Sequence, residues 1–235
     1  MTRRDQFLTA AYGGEGWQPR QLSHACELGS IWALCGMETE WHTLKKVLLY
    51  QPGSELHASL ENPDAVQMLE AIDLERAKEE HAALQQAYRD SGVEVVMVDP
   101  DMPARPNQMF CADLFAMTPE GAILARPASI VRAGEERQVA RALAEHGIPI
   151  LKTLTANAKF EGADLIWLNR QTALLGQGLR TNAEAARQIS RILEEIGTRL
   201  ITVDMPVGTM HLMGMLRIVD EDLANSGPSG RNETV

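Results

Sequence analysis

The stretch Leu165-Ile166-Trp167-Leu168-Asn169-Arg170-Gln171-Thr172-Ala173-Leu174-Leu175 holds two short apolar runs separated by turn residues, the pattern of a strand pair. Asn182 follows as a helix N-cap, and Ala185, Ile189, Ile192, Leu193 and Ile196 then share one helical face that Gly197 closes. Directly after it comes Arg199-Leu200-Ile201-Thr202-Val203, a third strand-like run. The unit is therefore strand, strand, helix, strand.

Working outward, the same order recurs. Strand runs at 109–117 and 122–125 precede a helix at 135–146, which Gly147 ends before the run Ile148-Pro149-Ile150-Leu151. Further upstream, Asn62-Pro63 supplies a cap and a first-turn proline for a helix through Val66, Leu69, Ala77, Leu84 and Tyr88, with Gly92 ending it and the run 93–98 following. The helix-ending glycines at 92, 147 and 197 give separations of 55 and 50 residues, and self-similarity at such a period marks a repeat architecture. A further unit opens with a strand at 211–219 and the turn Asp220-Glu221-Asp222, and the polar, glycine-rich tail gives it no helix. The expectation is an α+β fold of repeated ββαβ modules that ends inside a module. Its parts are a leader at 1–43, a module array at 44–224 and a polar tail at 225–235.

Composition bounds the function. The 235 residues carry 22 basic against 32 acidic side chains, a net charge of -10, which disfavours nucleic acid and anionic membrane surfaces as partners and suits a cationic small molecule better. No signal peptide and no membrane-spanning run can be read, so a cytoplasmic location is expected. Cys26, Cys35 and Cys111 have no metal-ligand spacing around them and are an odd number, so neither a zinc site nor a disulfide framework is expected. No phosphate loop or dinucleotide fingerprint is present, and no cofactor is implied.

Asp113, Glu161 and His211 stand at one phase of the repeat, early in the first strand or just ahead of it, 48 and 50 residues apart. If the modules surround a common axis, the three side chains converge on one pocket. Two carboxylates accept the donor fork of a planar cation such as a guanidinium, and an imidazole serves as acid or base near neutral pH. Taken singly each has a plainer reading: Asp113 as a turn former, Glu161 as a loop charge, His211 as a satisfied core histidine. Their common phase favours the functional one.

Several segments resemble the guanidino-group-modifying (pentein) superfamily of arginine deiminases, dimethylarginine dimethylaminohydrolases and amidinotransferases. Leu44-Lys45-Lys46-Val47-Leu48-Leu49-Tyr50-Gln51-Pro52-Gly53-Ser54-Glu55 resembles the opening strand, and Asn107-Gln108-Met109-Phe110-Cys111-Ala112-Asp113 the aromatic-x-Arg-Asp segment. Phe160-Glu161-Gly162-Ala163-Asp164 resembles Phe-Glu-Gly-Gly-Asp, Arg180-Thr181 the Arg-Thr pair, and Met210-His211-Leu212 the His-Leu pair. The resemblance implies a five-bladed α/β propeller around a central site, here incomplete. In this chemistry a cysteine thiolate attacks the guanidinium carbon, an amine leaves, and water or an acceptor amine resolves the amidino-thioether. By the same resemblance Asp113 holds the guanidinium, Glu161 orients His211, and His211 protonates the leaving amine and then activates water. Asp164 and Arg180 support the site or take a substrate carboxylate.

The chain departs from the family pattern at Ala112, Ala163 and Met213, where relatives carry arginine, glycine and, in arginine deiminases and amidinotransferases, aspartate. The last departure moves the reading from free arginine towards a substituted one. The nucleophile of relatives lies near their C-terminus, and nothing corresponds to it before Val235. Cys111, two residues from Asp113 and thus on one strand face, is read as a structural thiol. The leading expectation is hydrolysis of a guanidino compound in the complete family member. The alternatives are an amidinotransferase at the same site, a non-catalytic guanidino-binding protein, or a truncated product. A ring lacking modules exposes strand edges, so self-association through the open side is expected.

Overall fold

The computed structural model describes residues 9–100 and 103–226. Within them the chain is a mixed α/β fold of ten short strands and five α-helices, and the strands form four separate small sheets, none closed on itself. In chain order the elements are α1 (His24–Glu27), β1 (Lys46–Leu49), α2 (Ala58–Glu61), α3 (Leu74–Asp90), β2 (Glu94–Met97), β3 (Phe115–Thr118), β4 (Gly121–Leu124), α4 (Glu135–Glu145), β5 (Ile150–Thr153), β6 (Leu165–Asn169), β7 (Thr172–Gln177), α5 (Ala183–Glu195), β8 (Arg199–Asp204), β9 (Leu216–Asp220) and β10 (Leu223–Ser226).

Two sheets complete the unit read from the sequence. In each, an antiparallel hairpin (β3 with β4, β6 with β7) leads through a helix to a strand that returns parallel to the second (β5 on β4, β8 on β7), because a parallel return needs a crossover. The first sheet is the parallel pair β1 and β2 joined across α3, and the last is the antiparallel hairpin β9 and β10. Asn182 accepts from the Ala185 amide to start α5, while α3, α4 and α5 all run out before glycines with left-handed φ, at Gly92, Gly147 and Gly197.

Three sequence expectations are corrected. Asn62-Pro63 starts only a single 3-10 turn, Asp64–Val66, with Asn62 Oδ1 accepting from the Ala65 amide. Gln67 then takes a left-handed backbone that ends the turn, and α3 begins twelve residues past Asn62 on its own cap, Asp73. The runs at 109–117 and 211–219 are not continuous strands: 3-10 turns at Cys111–Asp113 and Leu212–Gly214 precede β3 and β9. Cys111 and Asp113 therefore do not share a strand face. Asn225 and Ser226, at the start of the stretch read as a polar tail, pair with Arg217 and Leu216 in the last hairpin; residues 227–235 lie outside the described residues.

Burial follows the apolar faces. One core cluster gathers Ile123, Phe160, Trp167, Leu175, Ile189 and Leu193 between the second and third units, and another gathers Tyr50, Leu114, Leu124, Val139 and Leu143 between the first and second. The described part of the leader packs on these units. Ala33 donates to the Gly147 carbonyl, Met37 to the Thr118 carbonyl at the edge of β3, and Glu40 accepts the Trp167 amide of β6 at 2.8 Å. The last two bonds occupy groups on β3 and β6, the outer strands of their sheets. Among the described residues no helix is long and apolar enough to cross a membrane.

Candidate active site

A short 3-10 turn stands immediately ahead of the first strand of three successive units: Cys111–Asp113 before β3, Gly162–Asp164 before β6 and Leu212–Gly214 before β9. Glu161 and His211 are the residues that cap the second and third turns, both in extended backbone. Asp113 is the last residue of its turn, so its counterpart in the next unit is Asp164, and the position of Glu161 is held by Phe110. The equal phase expected for all three thus holds for Glu161 and His211 but not for Asp113. The three side chains meet nonetheless: a carboxylate oxygen from each acid and a ring nitrogen of His211 lie within 4.8 Å of one another, all buried.

The pairwise geometry is specific. His211 Nε2 lies 2.7 Å from Glu161 Oε2 and 3.8 Å from Asp113 Oδ1. Glu161 is fully buried, and its other oxygen accepts from the Ala128 amide at 3.2 Å and from Arg180 Nη1 at 3.3 Å. Asp164 does not face the cluster. Its Oδ2 accepts the Thr181 hydroxyl at 2.6 Å and its Oδ1 the Leu212 amide at 2.9 Å, which pins the turn that His211 caps. Gly162 is required here by close approach: a Cβ on it would collide with the carbonyl oxygens of Ala112 and Phe115, so the second turn can lie against the first only with glycine.

Sequence reasoning missed Arg132 and Glu135. Arg132 Nη1 donates to Asp113 Oδ2 at 2.5 Å and stands 3.5 Å from Glu161 Oε2, while its Nε donates to Glu135 Oε2 at 2.8 Å. Nη2 reaches the carbonyls of Asn107 and Phe110, both at 3.3 Å. The signal was available. Arg132 stands three residues ahead of α4, as Arg180 stands three ahead of α5, so the repeat logic applied to the helix starts aligns the two arginines.

The electrostatics are those of a compensated buried cluster. Burial pushes the Glu161 carboxyl up, but the hydrogen bond with His211 and the guanidinium groups of Arg180 and Arg132 outweigh it and hold it below the ordinary carboxylate range. Burial opposes a charge on His211, yet the bond to Glu161 and the nearby Asp113 raise its pKa above that of a free imidazole. Asp164 is pushed up by burial, in part offset by its two donors. Asp113, Glu161 and His211 have the spacing of a cation's donor set, but the Arg132 guanidinium already stands against both carboxylates, which works against a divalent ion there. Asp113 Oδ1 accepts no hydrogen bond among the described residues, and His211 Nε2 stands 3.8 Å from it.

The three cysteines differ in exposure: Cys26 is exposed, Cys35 half-buried and Cys111 buried. Cys111 is buried in the core with its Sγ 3.6 Å from the Gln108 carbonyl, and burial pushes its thiol up to about 12. Burial also raises Cys35, while Cys26 is exposed and accepts from Ser23 Oγ at 3.2 Å in α1.

A family profile described as N,N dimethylarginine dimethylhydrolase, eukaryotic, matches residues 60–224. The chain is 27% identical over 187 residues to the uncharacterized protein YkgA of Bacillus subtilis, covering 79% of this chain and 63% of that one. It is 29% identical over 125 residues to the N(G),N(G)-dimethylarginine dimethylaminohydrolase of Pseudomonas aeruginosa, covering 53% of this chain and 48% of the enzyme. A solved cysteine-to-serine mutant of the Pseudomonas aeruginosa enzyme, complexed with citrulline, matches with a TM-score of 0.65 at 26% identity, covering 75% of this chain and 66% of that chain. The chain thus spans between about half and two thirds of the length of these relatives.

Proposed function

Because the chain belongs to the N,N-dimethylarginine dimethylhydrolase family, within the pentein superfamily, we propose that it carries the substrate-binding and acid-base part of a site that acts on a substituted guanidino compound. The observation that carries this reading is the buried contact of His211 with Glu161 at 2.7 Å, with the open oxygen of Asp113 beside it at 3.8 Å. A guanidinium is planar and cationic, and a buried carboxylate oxygen with an open lone pair is a strong acceptor for its N–H groups. A single open acceptor favours a guanidinium with few N–H donors, as in a methylated arginine.

In this proposal Asp113 holds the cation and Glu161 fixes the imidazole. A thiolate forms a bond to the guanidinium carbon while His211 gives its proton to the departing amine. Water then attacks the amidino carbon, His211 takes its proton, and the carbon–sulfur bond breaks to return the thiolate and a urea-type product. Arg180, whose Nε is buried without a hydrogen-bond partner, takes the substrate carboxylate, and Asp164 holds the turn beneath His211. Cys26, Cys35 and Cys111 are not assigned the thiolate. The proposed frame is the five-module α/β propeller of the superfamily, with the two complete ββαβ units as two of its blades.

The second reading is a non-catalytic guanidino-binding protein, favoured by the burial and raised pKa of Cys111. An amidinotransferase would use the same residues up to the covalent intermediate, and dependence on an added amine would identify it. The test is an assay of the purified 235-residue chain for citrulline and released amine from methylated arginine, beside a Cys111→Ser variant. The expected result is ligand binding without turnover. Turnover that disappears in the variant would show that Cys111 is the nucleophile and overturn the assignment.

A further inference from the structure

We propose that the outward face of the leader is a docking surface for a second copy of this chain, the same patch meeting itself across a twofold axis. The leader is held on the second unit by its inner side. Ala33, Cys35 and Met37 pack against the two core clusters, and the Ala33 and Met37 amides donate to the Gly147 and Thr118 carbonyls. His24 Nε2 lies 2.9 Å from the Glu120 carbonyl oxygen, and its ring stands 6.1 Å from that of Trp32. The apolar residues between and before these anchors are turned outward: Leu34 is 80% exposed, Trp17, Leu22 and Ile31 are each more than half exposed, and Trp32 is 37% exposed.

Scattered exposed apolar side chains are ordinary, but a group of them in a stretch almost without charge is not. Between Gly16 and Met37 the only charged side chains, with histidine neutral, are Arg20 and Glu27. They cancel one another, because Arg20 Nε and Nη2 both donate to the buried Glu27 carboxylate. That decides the kind of partner. Two copies, each with a net charge of -10, repel, so they meet best through a face that carries no net charge. A basic partner would instead seek the acidic remainder of the surface. The area agrees: at these exposures the five side chains present on the order of 500 Å² of apolar surface. That is at the upper end for the largest patch of a monomer, and it is most of the roughly 800 Å² that each side gives to a standard interface.

Sedimentation velocity of the purified 235-residue chain over a micromolar concentration series tests this. The expected result is a reversible rise from monomer to dimer mass that stops at the dimer, because a patch that meets itself is used up by one partner. Added salt should tighten the pair by screening the repulsion between the copies. Ile31→Glu combined with Leu34→Glu should weaken the dimer by about tenfold or more, since like charges are then brought together in the contact. The thermal midpoint, compared at a concentration where the wild type is monomeric, should be unchanged in that variant. If it does not fold, Leu22→Lys decides on the same readout. Val219→Glu combined with Leu223→Glu, on the exposed last hairpin, should leave the dimer intact. A chain that stays monomeric throughout the series, association that grows past the dimer, or a dimer that survives the leader variants would overturn the inference.

Discussion

His211 Nε2 lies 2.7 Å from Glu161 Oε2, joining two turn-capping residues fifty positions apart in a buried contact. Each partner's pKa is shifted so that the pair is favoured in its ionic form, Glu161 lowered and His211 raised. A lowered acid contributes stability that is present above its unfolded pKa of about 4.5 and is lost as pH falls through its folded value. A raised histidine contributes stability that is complete below about 6.5 and is lost as pH rises through its folded value. The pair's contribution should therefore peak between those limits, and thermal midpoints measured against pH should show it. In His211→Asn the alkaline loss due to this histidine should vanish. The difference between the two profiles separates it from Glu135, whose burial pushes its carboxyl up to about 7.

Gly162→Ala should be among the most damaging single substitutions. The added methyl has no room between the first and second turns, where the Ala112 and Phe115 carbonyls already press on the glycine. Overpacking of this kind costs about 1–3 kcal/mol and occasionally more, and backbone atoms yield less than side chains. Urea denaturation should place the loss at the upper end or beyond, whereas Gly214→Ala, with no atom within reach of a new Cβ, should change stability much less.

The repeat was legible because its signals are local: Asn182 before α5 and the glycines after each long helix act within one turn of chain. Asn62 sent the same signal and was obeyed for only one turn, since nothing in its own neighbourhood reveals the left-handed Gln67 that breaks the segment. The runs around Asp113 and His211 looked like strands because their apolar residues lead directly into β3 and β9, and nothing in that pattern sets the preceding 3-10 turns apart. The meeting of Glu161 and His211 followed from their common phase, whereas Asp113 joins them from the far end of its own turn. Arg132 shows in the sequence only through its alignment with Arg180 at the helix starts, and its contacts with Glu135, Glu161 and the 107–113 segment have no linear spacing of their own.

Asp164→Ala should act on His211 without touching it. It leaves the buried Leu212 amide and Thr181 hydroxyl without their acceptor, at a cost of about 1–3 kcal/mol for each unsatisfied group. The turn capped by His211 is also released. The expected outcome is lower stability together with a broadened His211 imidazole resonance, while Asp164→Asn, which keeps one oxygen acceptor, should recover part of the stability.

Thiol labelling of the native chain should separate the cysteines. Exposed Cys26 should react with iodoacetamide first, and Cys111, buried with its thiol near 12, should stay unmodified until unfolding. Mass spectrometry of timed samples reads this out. Prompt native-state labelling of Cys111 would contradict its assignment as a core thiol.

The central claim is that Asp113 holds a guanidinium beside His211, whose imidazole Glu161 fixes, and calorimetric titration with N-methyl-L-arginine tests it most directly. The account predicts saturable binding to the wild-type chain that weakens by about tenfold or more in Asp113→Asn, as loss of a buried charge-assisted contact does. It predicts a comparable weakening in Glu161→Gln, with both variants still unfolding cooperatively. Binding of equal strength in the wild type and in both folded variants, or no binding to the wild type at all, would contradict it.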